Sequence, residues 1–222
     1  MSAGIKTSSI ACGGIMHRRL TVMAVIAALG ISVATFSAAE AHADTCTGSY
    51  SIGVGGAKIS FAEGTWEDSS YIYADNRIQY DTLNPRQGYS ELDRAFWRHR
   101  ALCPSGHIEL VGHSEGAAII HAWVTDNPVP DTSAVLLADP KRATGPAGAG
   151  LASIPGNWLI GWPLAGVDAN FGPVPVLQVC NHDDVVCNVP AGWYGYVAKG
   201  THLNYDFDSS DYPVNTAGVW FR

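Results

Sequence analysis

The chain has 222 residues, of which 47% are hydrophobic, and a formal net charge of −7. This length suffices for one domain with a substantial hydrophobic core. An acidic chain without a basic stripe argues against a nucleic-acid-binding protein and against electrostatic attraction to anionic lipid.

The N-terminal residues have the pattern of an export signal that follows a short extension. Positive charge at His17–Arg19 precedes the apolar run Leu20–Val33, and Ala41-His42-Ala43 fits the small-residue site of signal cleavage. The apolar run is too short and too rich in small residues for a membrane span, although a retained anchor is the alternative. We expect a signal over residues 1–43 and a mature domain over 44–222, whose 10 basic and 19 acidic residues give a net charge of −9.

The first half of the mature chain contains three candidate strands and one candidate helix. Tyr50–Val54 is typical of a buried strand, and it ends at Gly55-Gly56. Tyr71–Tyr73 and Arg77–Tyr80 are candidate short strands on either side of a turn. Ser90–Leu102 carries apolar residues at helical spacing and predicts an amphipathic helix.

The most informative local pattern is Gly112-His113-Ser114-Glu115-Gly116, which lies between an apolar run and a helix-forming run. It predicts a strand, a sharp turn with Ser114 at its apex, and a helix that ends near Asp126. In α/β-hydrolases this turn is the nucleophile elbow, which holds the serine Oγ at the top of the sheet. A Cβ at Gly112 or Gly116 would clash where the strand and the helix pass closely. Ser114 is therefore a candidate nucleophile, and an ordinary turn with an exposed serine is the alternative.

Two further buried strands, Ala134–Ala138 and Pro175–Val179, follow the elbow. Strands that alternate with helices predict an α/β fold, in which a mostly parallel sheet is covered by helices on both faces. The ligand site of such a sheet lies at the carboxyl ends of its strands. Between these two strands, Lys141–Pro173 is rich in Gly, Pro and Ala yet carries Trp158 and Trp162. This segment is interpreted either as an apolar flap beside an acyl-binding groove or as a short helix packed on the core.

Four cysteines remain in the expected mature chain, and an even number in an exported protein indicates two disulfides. Three pairings are open. Cys180 and Cys187 form the most local pair, which leaves Cys46 with Cys103. Neither a Cys-x-x-Cys pair nor a Cys/His set with zinc-finger spacing is present in the sequence, so we expect no metal site.

A serine hydroxyl needs a base to take its proton, and the base needs an acid to orient it. In α/β-hydrolases the chain order is nucleophile, acid, base. Of the histidines after the elbow, His121 lies inside the following helix and His182 lies in the loop between two cysteines. His202, in a loop that is expected to precede a helix, is the predicted base.

Three aspartates are candidates for the acid. Asp139 follows an earlier strand, where capping of the next segment is its alternative role. Asp184 lies inside the tight Cys180–Cys187 loop after the last predicted strand, which would hold a carboxylate rigidly. Asp183 is its neighbour and points in a different direction, so the residues alone leave the choice open.

These residues carry a resemblance to the cutinase family. The segment Cys180–Cys187 followed by His202-Leu203-Asn204-Tyr205 resembles the Cys-x₃-Asp-x₂-Cys and His-x-x-Tyr segments of cutinases. Cys103-Pro104 ahead of the Ser114 motif is similar as well, including the spacing between cysteine and serine. The resemblance spans Cys46 to Tyr205. It implies an α/β-hydrolase fold with Asp184 as the acid, and it supports both disulfide pairs.

Other segments resemble a related group, the PE-PPE domains of actinobacterial serine hydrolases. These segments are Val54-Gly55-Gly56 and Leu136–Arg142. His113 and Glu115 stand where cutinases commonly have tyrosine and glutamine. These departures bear on the substrate rather than on the nucleophile.

The oxyanion formed during acyl transfer needs hydrogen-bond donors. One is expected to be the N–H of Glu115, the residue after the nucleophile. A second donor is expected from Gly56-Ala57 after the first strand, although a plain turn is the alternative for the glycines. The Glu115 side chain is expected to point outward, because a charge above the site would repel an oxyanion.

Together these observations predict a secreted serine esterase of the cell envelope with the triad Ser114, Asp184 and His202. It is expected to act on lipid-like or small apolar esters without metal or cofactor, to touch envelope lipid peripherally, and to bind no nucleic acid. The alternatives are a transacylase or thioesterase that uses the same site, and a non-catalytic envelope-binding protein.

Overall fold

A six-stranded sheet forms the centre of the part of the chain that the structure describes. The computed structural model describes residues 46, 48–60, 62, 64–143, 148–155 and 163–222. The α-helices and strands of these residues are β1 Ser49–Val54, β2 Gly56–Ser60, β3 Gly64–Asp68, β4 Asn76–Ile78, α1 Pro85–Leu102, β5 His107–His113, α2 Glu115–Asp126, β6 Thr132–Leu137, β7 Val176–Cys180, α3 Trp193–Lys199 and β8 Gly218–Phe221.

The strands of the central sheet run in the order β4-β1-β5-β6-β7-β8, and every neighbouring pair is parallel. Strands β6 and β7 are buried along their whole length. A parallel sheet has both faces covered, so its inner strands are apolar throughout rather than alternating. This requirement explains why continuous apolar runs marked these strands in the sequence.

Helices α1 and α2 pack side by side on one face of the sheet. Helix α2 is buried from Gly116 to Val124, because it lies between the sheet and α1. Helix α1 buries only one side, through Gly88, Leu92 and Phe96, as an amphipathic surface helix does. It begins at Pro85, five residues before the predicted start, with proline in the first turn where its missing N–H costs nothing.

The second face of the sheet is covered by irregular chain. Ile72, Tyr205 and Tyr212 pack there against Val111, Val135 and their neighbours, and a one-turn 3₁₀ helix lies at Ser209–Asp211. The predicted α/β-hydrolase-like fold class is confirmed by the parallel sheet with its crossover helices. The layer on this second face is less helical than expected.

Several small elements differ from the predictions. The expected strand Tyr71–Tyr73 contributes a single bridge between Tyr73 and Asp208, and the strand expected at Arg77–Tyr80 is the short β4. The antiparallel β2–β3 hairpin and the edge strand β8 were not predicted. The helix near His202 precedes it, as α3, rather than following it.

Both predicted disulfides are present. One joins Cys46 to Cys103, and the other joins Cys180 to Cys187 across a separation of seven residues. The second bridge closes the chain that leaves β7 into a compact loop at the carboxyl edge of the sheet. Arg142, which is not part of this loop, binds it, since its Nε donates to the Cys187 carbonyl oxygen at 2.9 Å.

Two predictions fall outside the described residues. The signal and cleavage site over residues 1–43 lie there. So do four apolar residues of Lys141–Pro173, the segment interpreted as either a flap or a short helix: Trp158, Leu159, Ile160 and Trp162.

Candidate active site

Ser114 occupies a sharp turn between β5 and α2. Its backbone has φ 58° and ψ −120°, a conformation that L-residues rarely adopt. Two hydrogen bonds hold the turn: the Ser114 N–H donates to the Leu137 carbonyl at 2.9 Å, and its own carbonyl accepts from Ala118 at 3.1 Å. Strain of this kind persists where the surroundings impose it, and it is typical of functional sites.

The two glycines of the turn are required by close backbone contacts, as the sequence predicted. A Cβ at Gly112 would lie 2.8 Å from the Ala117 backbone in the first turn of α2. A Cβ at Gly116 would overlap the carbonyl oxygens of Val54 and Gly55 at the end of β1. The turn can therefore form only because strand and helix approach each other without intervening side chains.

The structure brings Ser114, His202 and Asp184 together in one hydrogen-bonded series. His202 Nε2 lies 2.9 Å from Ser114 Oγ, and His202 Nδ1 lies 2.9 Å from Asp184 Oδ2. A carboxylate only accepts, so Nδ1 carries the hydrogen and Nε2 is free to accept from the serine hydroxyl. This is the arrangement that a general base needs.

Asp184 is fully buried and receives donors from three directions. Besides His202, Tyr205 Oη donates to Oδ2 at 2.8 Å and the Val186 N–H donates to Oδ1 at 3.0 Å. Burial acts to raise the pKa of Asp184, but the hydrogen bond and charge of His202, with the bond from Tyr205, hold that pKa below its usual value. The carboxylate therefore stays charged beside the imidazole.

The alternative acid Asp183 and the alternative base His182 lie on the surface. Asp183 Oδ2 accepts from Lys199 Nζ at 2.7 Å, and this bond holds the pKa of Asp183 below its usual value. His182 Nδ1 lies 3.3 Å from Asp183 Oδ1 and is largely exposed. Neither side chain takes part in the hydrogen bonds of Ser114.

A second histidine–aspartate pair is buried elsewhere in the fold. His121 Nδ1 lies 2.7 Å from Asp139 Oδ2, and both side chains are fully buried. Asp139 also caps the next segment by accepting from the Lys141 N–H at 2.8 Å, the role that the sequence left open. Burial acts to raise the pKa of Asp139, but the charge and the hydrogen bond of His121 hold that pKa below its usual value. This pair ties α2 to the end of β6.

The predicted oxyanion donors differ in availability. The Gly56 N–H already donates to Tyr71 Oη at 3.2 Å. Ala57 follows it at the start of β2, where it is exposed. Glu115 is the first residue of α2, and the first N–H groups of a helix have no partner within the helix. Because the Gly56 N–H already has a partner, Ala57 remains the candidate for the second donor.

The Glu115 side chain is less solvated than the sequence suggested. It is only partly exposed, and burial, with a contribution from the charge of Asp81, raises its pKa to about 8. At neutral pH the carboxyl is therefore mostly protonated. Neutralisation of the carboxyl therefore avoids the repulsion of an oxyanion that an outward orientation was expected to avoid.

The end of β1 is braced by groups that the sequence did not single out. Tyr80 Oη donates to the Gly55 carbonyl at 3.0 Å. The buried Glu67 lies against Gly55, and burial raises the pKa of Glu67 to about 7. Tyr71 and Tyr80 lie in the two candidate short strands, where no motif indicated a role at the site, whereas Tyr205 was visible as part of a His-x-x-Tyr segment.

Within the described part of the chain, no group of three or more His, Cys, Asp or Glu side chains has the arrangement of a metal site. No helix in that part has the length and apolar character of a membrane span.

Comparison with known proteins gives a distant structural likeness. No family model matches the chain, and no curated protein matches it. Among solved structures, a cutinase-like protein from Cryptococcus sp. is similar with a TM-score of 0.49 and 17% sequence identity, and the match covers 73% of this chain and 88% of that chain. A protein of unknown function from Agrobacterium tumefaciens is similar with a TM-score of 0.39 and 13% identity, over 80% of this chain and 82% of that one.

Proposed function

We propose that the protein is a serine esterase that cleaves carboxylic esters through an acyl-enzyme. The observation that carries the proposal is the hydrogen-bonded series Ser114, His202 and Asp184, in which 2.9 Å separates Ser114 Oγ from His202 Nε2. The positive φ of Ser114 at the end of a central strand supports a nucleophile over the exposed serine of an ordinary turn.

In the proposed reaction Ser114 Oγ attacks the ester carbonyl while His202 Nε2 takes the serine proton. Asp184 keeps the imidazole in the Nδ1–H form and stabilises the imidazolium. His202 then gives the proton to the leaving alcohol, and an acyl group remains on Ser114 Oγ. Water activated by His202 releases the acid and restores the serine.

The backbone N–H groups of Glu115 and Ala57 are proposed to bind the oxyanion. Removal of one such donor in a serine hydrolase costs about 10²–10³ in kcat. The elevated pKa of Glu115, about 8, supports this proposal because a mostly neutral carboxyl places little negative charge near the oxyanion.

We propose that the substrate is an apolar or lipid-like ester. Four apolar side chains are exposed on α3 and on the 3₁₀ turn that carries His202, and we name them the α3 patch: Trp193, Tyr194, Val197 and Leu203. On the same helix, the Tyr196 ring lies 4.9 Å from the His202 ring, so the patch adjoins the proposed base. Clustered exposed apolar groups are typical of surfaces that meet apolar ligands.

Export to the cell envelope is proposed as well. Two disulfides support an oxidising compartment, and the sequence of residues 1–43 supports a cleaved signal with a mature chain from Asp44. The resemblance to PE-PPE domains rests on sequence segments alone and stays a prediction.

The test is hydrolysis of p-nitrophenyl esters of graded acyl length by the purified protein with its disulfides intact. We expect turnover that Ser114→Ala abolishes and that the control Ser105→Ala, in an exposed turn, retains. A preference for medium or long chains is expected from the α3 patch, and strong preference for the shortest ester would contradict the substrate class.

Equal background release by wild type and Ser114→Ala would refute the esterase. The same assay with an added alcohol separates hydrolysis from acyl transfer, because a transacylase would form a new ester in preference to the free acid.

A further inference from the structure

The side chain of His113, the residue before the proposed nucleophile, is buried with both ring nitrogens in use. It is 1% exposed. Its Nε2 lies 2.9 Å from the carbonyl oxygen of His202, and its Nδ1 lies 2.9 Å from Tyr71 Oη. Because a carbonyl oxygen can only accept, the hydrogen of a neutral His113 ring is on Nε2, and Nδ1 accepts from the tyrosine hydroxyl.

The hydrogen bonds continue from Tyr71 to the end of β1. Tyr71 Oη donates to His113 and accepts from the Gly56 N–H at 3.2 Å. Three hydrogen bonds thus connect the Gly56 backbone, through two side chains, to the His202 backbone. Gly56 also packs closely against the elbow, since a Cβ at Gly56 would lie 3.1 Å from Ser114 Cβ and 3.2 Å from His113 Nδ1.

The surroundings keep the His113 ring neutral, as these bonds require. Desolvation and then the proximity of His202 lower the pKa of His113 to about 3, against weaker opposing effects of the His202 carbonyl and of Asp184. The rings of His202, Tyr205 and Phe207 pack around it at centroid distances of 4.7, 5.6 and 4.9 Å.

We propose that His113 is a positioning residue for the proposed esterase, which fixes the backbone of the base His202 relative to the nucleophile and, through Tyr71, to the oxyanion segment at Gly56. The proposal rests on the proposed roles of Ser114 and His202.

The need for such a contact follows from where the base lies. His202 is on a one-turn 3₁₀ helix between Gly200 and Asn204, outside the sheet. Asp184 holds its ring, whereas His113 holds its backbone carbonyl. Because His113 directly precedes Ser114 in the chain, this contact fixes the backbone of the base relative to the nucleophile. Displacement by about 1 Å can cost about a hundredfold in rate.

The experiment compares His113→Phe and Tyr71→Phe with wild type, using p-nitrophenyl butyrate for kcat and KM and a fluorophosphonate for the rate of Ser114 modification. We expect kcat and the modification rate to fall about 10- to 100-fold for His113→Phe and about 3- to 10-fold for Tyr71→Phe, with KM within about twofold, because alignment of the reacting groups rather than binding is lost. His113→Gln, which keeps a donor, should recover part of kcat relative to His113→Phe. Tyr73→Phe is the control, since Tyr73 is 72% exposed on the same segment.

A measurement on the wild type keeps the proposal testable if the variants fail to fold. Nitrogen-15 NMR of the histidines should show His113 with hydrogen on Nε2 only and no titration between about pH 5 and pH 8. A hydrogen on Nδ1, or titration in that range, would overturn the proposal.

The kinetic outcomes separate the two proposals. Variants with wild-type kcat and modification rate would overturn the positioning role and leave the esterase standing. A wild type that neither hydrolyses esters nor reacts with the fluorophosphonate would overturn both.

Discussion

Asp184→Asn is a direct test of the proposed acid. It replaces one accepting oxygen of the carboxylate with an NH₂ group, whereas the neighbours Val186, Tyr205 and His202 all donate to this side chain. Oδ1 accepts from the Val186 N–H at 3.0 Å, Oδ2 accepts from Tyr205 Oη at 2.8 Å, and His202 Nδ1 lies within 3.1 Å of both oxygens. An asparagine has to place its NH₂ group at one of these two positions.

The cost of each orientation decides the outcome. At the Oδ1 position the NH₂ group would face the fixed N–H of Val186, and two opposed buried donors cost about 1–3 kcal/mol. At the Oδ2 position it faces a hydroxyl that can turn and His202 Nδ1, to which it can donate. The second orientation is preferred. Its NH₂ group lies at the position nearer to His202 Nδ1, at 2.9 rather than 3.1 Å, and donates to that nitrogen. The hydrogen of His202 therefore moves to Nε2, where it blocks proton transfer from Ser114.

We therefore expect Asp184→Asn to lower kcat about 10⁴-fold, the loss that the wrong tautomer causes in other serine hydrolases, which corresponds to roughly 5.5 kcal/mol. The assay is kcat on a p-nitrophenyl ester near pH 7.5. Asp183→Asn is the matched control and should keep kcat within about twofold, because Asp183 makes an exposed ion pair with Lys199. An Asp184→Asn enzyme with more than about a tenth of wild-type kcat would refute the reasoning, and so would an equal loss in the control.

Two predictions concern stability. Gly116→Ala should lower the free energy of unfolding by at least about 1–3 kcal/mol, since its Cβ would overlap backbone that cannot move freely; an unchanged midpoint in urea would contradict the packing of α2 on β1. Burial raises the pKa of Glu67, Glu109 and Glu115 from 4.5 in the unfolded chain to about 7, about 7 and about 8, respectively. The stabilisation that these protonated carboxyls provide is complete below about pH 4.5 and is lost as the pH rises through 7 and 8, so the urea midpoint should fall between pH 5 and pH 9, and by less in Glu109→Gln.

The elements around the elbow could be predicted because their signals are local. Strand β5 and helix α2 are continuous apolar runs bounded by turn residues, and both had to be buried. Strand β8 is exposed along most of its length, and Trp66 of β3 is half exposed. Such strands are held by backbone pairing with a neighbour, so their sequences show no regular spacing of apolar residues from which a strand could be predicted.

The same distinction applies to the site. Ser114, His202 and Asp184 lie in motifs whose chain order indicates their roles. The bond between Tyr71 and His113 joins residues 42 positions apart and depends on how irregular chain crosses the second face of the sheet. Likewise, the neutral state of Glu115 follows from burial that only the folded chain creates.

The disulfide around Asp184 bears on how the protein should be prepared. The Cys180–Cys187 bridge closes the short loop that carries the proposed acid, whereas the strands are paired through their backbones and the elbow is held by the bonds of Ser114 to Leu137 and Ala118. A chain produced in a reducing cytosol, or assayed with a thiol reagent, can therefore be well folded by circular dichroism and still hold its aspartate loosely. Inactivity of such a preparation would reflect the redox history of the sample rather than the chemistry of the site.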